Sequence, residues 1–300
     1  MPIRRRAISM KMQSIVLGAL LTTLALACTD EKERLPAYLR IEPFRVESLG
    51  GAEWQNITEA WVYVNNQFLG GYSIPALVPV LEEDTCTVLV FPGVKENGQI
   101  LTPAVYPMFQ RHEGKVVLTP AQTTALTPTT RYVPDIRFPW PIERGSFDAS
   151  AIVLFDRDDN PKTGFELTTE DAFAGRSVRM RVDTANALND VATEAVEGLP
   201  ATAARQVWLE LHRRNDVPFE MWLLADDGPG TTEYSASVFR FGPAPAWTKI
   251  YLNLTEPLVS MGERKRHRLL FRLALRPNSS GQYERLSGTV LFDNIRLAHF

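Results

Sequence analysis

The chain has 300 residues, 45% of them hydrophobic, with 21 prolines, 18 glycines and only two cysteines. That much apolar material argues against a disordered chain, and the proline and glycine content marks a turn-rich fold. The formal charge of −3 at pH 7 argues against nucleic acid or anionic lipid as a partner, since both need a basic face.

The chain opens on MPIRRRAISMKMQ, which carries Arg4, Arg5, Arg6 and Lys11 and no acid. The apolar run Ser14–Ala27 follows and is 14 residues long. A membrane-spanning helix needs ~20 residues, so the spacing predicts a cleaved signal peptide over 1–27. Its removal takes away four basic residues and moves the formal charge to −7. Ala25-Leu26-Ala27 fits ordinary signal peptidase and, followed by Cys28, also resembles a bacterial lipobox, although Ala25 stands where Leu is usual. The acidic CTDEKER, opening a charged tether over 28–36, resembles the export signal of Bacteroidota surface lipoproteins. That resemblance implies a lipidated Cys28, attachment to the membrane through that lipid, and an outer-membrane, surface-facing location. A Cys28–Cys86 disulfide is the rival. Cys86 lies in an alternating strand, where a lone cysteine acts as a small buried apolar residue.

From Ala37 the hydrophobic period is two. AWVYV, Asn65-Asn66 and QFLGGY read as a hairpin, and Asn97-Gly98 marks another between TCTVLVFPGV and QILTPAVYPMF. Together with KVVLTP these predict a small β-sandwich over 37–128. VYVNNQFLGGYSIPALVPVL resembles PEGA-type and carboxypeptidase-regulatory-like modules, which implies an immunoglobulin-like or prealbumin-like unit; Asn66 replaces the usual glycine. The Pro/Thr-rich stretch 129–145 reads as the join between domains.

The second half alternates in SVRMRVD, QVWLELHRRN, FEMWLLAD, TKIYLNL, RLLFRLAL and TVLFDNIRL, separated by turn-formers. This predicts an antiparallel sandwich or jelly roll over 146–300, making the whole chain all-β. Residues 184–205 are Ala-rich and read as a helix or a surface loop. WTKIYLNL and the later VLFDNIRL resemble galactose-binding-like jelly rolls, a fold that many carbohydrate-binding modules use. With QVWLELHRRNDVPFEMWL, the stretch is similar to two-domain Bacteroidota lipoproteins.

The chemistry-bearing patterns are few. Asp156, Asp158 and Asn160 stand at positions one, three and five of an EF-hand-like calcium loop. Pro161 replaces the turn glycine and Leu167 occupies the twelfth position, so a solvated turn is the competing reading. Asp293 is a second calcium candidate, or a strand-end residue. No cofactor is otherwise expected. Four histidines with no H-E-x-x-H, no G-x-S-x-G and no glycine-rich phosphate loop give no catalytic residue, and the expectation is a protein that is not an enzyme. Asp183-Thr184-Ala185 fits a three-residue O-glycosylation pattern.

Strand parity separates two sets of residues. Val207, Leu209, Leu211, Phe219, Met221, Leu223, Ile250, Leu252, Leu254, Leu269, Phe271 and Leu273 form the expected core. The opposite parity presents Trp208, Glu210, His212, Trp222, Tyr251 and Arg272 as a candidate ligand face, since rings and polar neighbours suit a sugar. The same face could instead be covered by domain one or serve a protein partner. Two functions follow: glycan binding at the cell surface, or an accessory subunit of an outer-membrane protein complex.

Overall fold

The computed structural model describes residues 33–47, 54–200 and 202–300. The expected signal peptide, Cys28 and most of the charged tether lie outside the described residues. The fold is mostly β, in several sheets.

In the N-terminal unit, β3 (Glu59–Val64) and β4 (Gln67–Ser73) form the hairpin expected at Asn65-Asn66. Both asparagines take positive φ, 47° and 66°, the backbone a two-residue turn demands. With β6 (Asp84–Lys95), β7 (Pro103–Val105) and β8 (His112–Leu118) they make one antiparallel sheet. A second sheet holds β1 (Ala37–Ile41) between β5 (Ala76–Val80) and β9 (Thr123–Leu126). Leu39, Ile41, Val62, Val78, Val88 and Val90 fill the space between. Cys86 is fully buried among them, as a small apolar residue.

The pairing of β1 with β9 is parallel, as is that of β2 (Arg45–Val46) with β10 (Thr129–Thr130). The Thr-rich strand β9 is an edge strand with one face on the core, so it shows no apolar alternation, and Pro120 and Pro128 fall just outside it. The stretch after β10 is not a free tether. Tyr132, Ile136 and Phe138 pack between the two units, and Arg137 pairs with His299 near the chain's last residues.

The C-terminal unit is a β-sandwich. One sheet runs β11 (Leu154–Asp156), β14 (Leu188–Thr193), β20 (Arg266–Ala274), β17 (Phe219–Asp226), β18 (Tyr234–Phe241), with β15 (Val196–Glu197) also on β20. We call it the distal sheet. The other, the seam sheet, runs β12 (Phe165–Thr168), β13 (Ser177–Asp183), β21 (Ser287–His299), β16 (Val207–Asn215), β19 (Ala244–Asn253). All twelve residues of the expected core parity are buried between them. Two short helices, α1 (Ile142–Gly145) and α2 (Thr255–Met261), flank the sandwich. Gly145 lets α1 lie against β21: an added Cβ would stand 2.0 Å from the Ile295 carbonyl oxygen.

The Ala-rich stretch 184–205 is neither helix nor simple loop, because β14 and β15 lie inside it. Their polar residues mask the strand pattern. Asn189 is fully buried, bonding to both backbone groups of Gly164 and to the Arg181 carbonyl, and Asp190 is paired with Arg272.

Candidate functional site

The six residues of the expected ligand face do not share a face. Trp208, Glu210 and His212 lie on β16 and Tyr251 on β19, in the seam sheet; Trp222 on β17 and Arg272 on β20 belong to the distal sheet. Each group points away from the common core, so the two project from opposite sides of the sandwich. Parity was read correctly, but parity within a strand carries no information about which sheet the strand joins.

The seam group is also covered. Trp208, Glu210, His212 and Tyr251 are all 2% exposed or less. The N-terminal unit lays Val94, Tyr106, Met108 and Phe109 on Trp208, Tyr251 and Ala298. The Tyr106 ring meets Trp208 edge-on at 5.2 Å and Tyr251 at 4.8 Å. The loop around Asn97-Gly98 reaches across as well: Asn97 donates its N–H to the Tyr251 carbonyl and accepts from the Asn253 N–H.

At the centre of this seam Glu210 is fully buried. It accepts hydrogen bonds from the Tyr106 hydroxyl at 2.6 Å, the Tyr132 hydroxyl at 2.8 Å and the Lys249 ammonium at 2.8 Å. Arg296 donates to the Tyr132 hydroxyl, 2.8 Å away, and lies 3.9 Å from the carboxylate. Burial pushes the Glu210 carboxyl up, yet the charges of Lys249 and Arg296 outweigh it and hold it below the usual carboxylate range. Burial likewise pulls Lys249 down to about 8, against the opposing pull of Glu210. A carboxylate so fully satisfied is structural: it joins the units rather than meeting a ligand.

His212 stacks on Phe173 with ring centroids 3.9 Å apart. Burial, then the charges of Lys249 and Arg296, lower its pKa from 6.5 to about 2. It is therefore neutral when folded, while the unfolded chain takes up a proton below about pH 6.5. Its contribution to stability should fall as pH drops through that range, by about 2 kcal/mol between pH 7 and pH 5. Urea titrations at both values should show that slope flattened in His212→Gln.

On the distal sheet, Trp222 is half-buried beneath the Arg272 guanidinium, 5.3 Å from its ring, and donates its indole N–H to Glu220. Arg272 in turn is paired with Asp190. Both side chains are engaged with neighbours.

The proposed calcium loop closes on itself. Asp158 accepts from the N–H groups of Asn160 and Asp190 and from the Thr163 hydroxyl, and Asn160 accepts from the Lys162 N–H. Asp156 accepts from the Asp158 N–H. Apart from the bond from Asp190 on β14 these are turn contacts, and no group of three His, Cys, Asp or Glu side chains placed to hold a metal occurs among the described residues. Asp293 lies within β21, buried, accepting from the Ser177 hydroxyl and the N–H groups of Ala174 and Asn294. Burial raises its pKa to about 7. Thr184 is exposed in the turn between β13 and β14, where Asp183 accepts from the Ala185 and Asn186 N–H groups.

The domain seam covers only part of the seam sheet's outer face. Beyond His212 the face is open, and a groove of about 360 Å³ runs over it. Its floor is a row across three strands, Arg179 on β13, Leu291 on β21 and Arg214 on β16, with Arg181 beside Thr289 in the next row. Arg179 is bound to Glu166 and Glu170, Arg181 to Glu166, and Arg214 to Asp171. Trp247 borders the groove through Asp171, donating its indole N–H to that residue's carbonyl at 3.0 Å. Its ring is half-buried, and Phe173 meets it edge-on at 5.8 Å. Sequence reasoning missed these residues because Glu170, Asp171 and Phe173 come from a loop with no period, and the arginines read as ordinary outward charges.

No protein family and no curated protein matches the chain. Among solved structures, similarity to carbohydrate-binding modules extends over about half the chain. A family 61 module solved with β-1,4-galactotriose is 14% identical, with 54% of this chain and 97% of that one covered at a TM-score of 0.33. The family 11 module of a Clostridium thermocellum cellulase is 10% identical, with 51% and 91% covered at a TM-score of 0.35. A xylan-binding family 22 module from Paenibacillus barcinonensis is 14% identical, with 51% and 95% covered at a TM-score of 0.36.

Proposed function

We propose that the protein is a non-catalytic surface protein, held in the outer membrane by a lipid on Cys28, that binds glycan through its C-terminal sandwich. In this reading the sandwich is a jelly roll of the galactose-binding-like kind, and the glycan lies in the groove over Arg179, Arg181 and Arg214 rather than on the face the domain seam covers. The groove's lining supports it. Guanidinium groups on rigid strands, paired with carboxylates of β12 and the loop after it, can bond with them to neighbouring hydroxyls, and the mutual ion pairs fix the groups beforehand, so little side-chain entropy is lost on binding. Trp247 adds a ring for the C–H face of a sugar. The groove carries cations and anions together, which suits hydroxyls better than a highly charged ligand.

Retardation in gels containing soluble xylan, mixed-linkage β-glucan or β-1,4-galactan tests the binding. The Arg214→Ala/Trp247→Ala double variant should weaken retention by about tenfold. Retention identical to that of the unaltered chain would refute the groove as the site. The anchor rests on the sequence around Cys28, and incorporation of a labelled fatty acid tests it: Cys28→Ser should be unlabelled and leave the membrane fraction.

A further inference from the structure

The N-terminal unit carries a second surface, one that parity in the C-terminal half did not point to. On β3, Ala60, Val62 and Val64 face the core, so Trp61 and Tyr63 face outward. On β6 the same alternation turns Leu89 and Phe91 outward. Trp61 stands directly opposite Phe91, and Tyr63 lies between Leu89 and the β4 residue Phe68. Tyr63 is 4.9 Å from the Phe68 ring and 5.4 Å from the Phe91 ring. The result is a continuous aromatic strip across three strands, with Phe68 51% exposed.

Trp61 is held in an unusual way. A Cβ added at Gly93 would lie 2.1 Å from its ring, and one added at Gly71 would lie 3.2 Å from it on the other side. Gly71 on β4 sits directly opposite Trp61 and Gly93 on β6 sits opposite Glu59, so the indole lies flat across the sheet in the space their missing side chains leave. One ring face rests on backbone. The ring is only half-buried, and its indole N–H has no partner among the described residues.

Polar groups bracket the strip at both ends. At one, Glu59 accepts from the Ser73 hydroxyl and pairs with Lys95 at 3.0 Å. At the other, Arg111 lies 5.8 Å over Phe91 and pairs with Glu113. These two acids and two bases cancel, so the surface selects neither an anionic nor a cationic ligand.

We propose that this face is a second carbohydrate contact, on which a neutral pyranose stacks its C–H face against Trp61, with the strip continuing to Phe91, Tyr63 and Phe68. A flat ring, flanked by hydroxyl and paired charges and with no partner for its N–H among the described residues, matches an alternation of C–H faces and hydroxyls. A peptide adding as a strand would need an open sheet edge instead, and these rings lie on the face of the sheet.

The test uses the full chain carrying Arg214→Ala/Trp247→Ala, so that the contribution of the C-terminal groove is already reduced. That protein should still be retarded by at least one of xylan, mixed-linkage β-glucan and β-1,4-galactan, with no loss at raised salt. Adding Trp61→Ala should weaken retention about tenfold. Gly93→Ala should match it by lifting the indole off the sheet while leaving the ring present. Phe68→Ala, at an exposed position, covers the case in which Trp61→Ala fails to fold, and should also weaken retention. Loss of all retardation in the groove variant, or retention unmoved by Trp61→Ala, or by Phe68→Ala where Trp61→Ala does not fold, would overturn this site. Neither result would touch the groove, which the comparison of the unaltered chain with the double variant judges separately.

Discussion

Glu210→Ala should destabilise the protein by about 3–5 kcal/mol, the loss expected when one partner is removed from a buried ion pair. The carboxylate holds four groups from three parts of the chain: Tyr106 in the N-terminal unit, Tyr132 in the crossing segment, and Lys249 and Arg296 in the seam sheet. Without it two cations remain buried, 6% exposed or less, with no anion between them. The loss comes from leaving those charges stranded rather than from the strength of the pair itself. A Glu210→Leu/Lys249→Met pair of substitutions, which removes one charge of each sign, should therefore recover part of the loss. Urea unfolding followed by tryptophan fluorescence measures both. A loss below about 1 kcal/mol for Glu210→Ala would mean that water reaches the seam and solvates the cations.

Trp208→Ala should cost about 3–5 kcal/mol, the range for truncating a large buried aromatic. Here the outcome separates two roles for one residue. A tryptophan waiting for a sugar stands exposed, and its removal abolishes binding while leaving unfolding nearly unchanged. Trp208 is 2% exposed, braced by Tyr106 and tied to Gln206 through its indole N–H. Its loss should open a cavity in the seam, lower the unfolding midpoint, and speed hydrogen exchange at the Asn97 amide, which is bonded across the seam to Tyr251. An unchanged midpoint would return Trp208 to the list of ligand-facing residues.

The parts of the fold visible in the sequence are those that local physics dictates. Asn65-Asn66 specified its hairpin because positive φ is affordable there, and alternation in β16, β17, β19 and β20 specified which side chains enter the core. Strands whose polar residues are buried were invisible: Asn189 and Asp190 disguise β14, and their partners, Gly164 and Arg272, are distant in sequence. The candidate site failed for a related reason. Whether Trp208 and Trp222 look onto the same side depends on sheet membership, and whether either meets water depends on another domain. Both are long-range properties. The aromatic strip of β3 and β6 had the same alternation as any half-buried strand, and only the register with Gly71 and Gly93 shows the indole lying flat.

The position of β21 has a consequence for how the molecule comes into being. This strand spans Ser287–His299, yet it lies in the middle of its sheet, hydrogen-bonded to β13 on one side and β16 on the other. Val178 must find Phe292, over a hundred residues further along the chain. Until β21 is available, β13 and β16 have no common neighbour, and the sandwich has a gap where its central rib belongs. Assembly of the C-terminal unit thus waits for β21 and is dominated by distant pairings, which makes it slow. The seam is deferred with it, because Arg296 and Ala298 belong to the same strand. During that interval Tyr106, Met108 and Phe109 have no Trp208–Tyr251 surface to cover them, and it is then, rather than in the finished protein, that the chain is most exposed to aggregation.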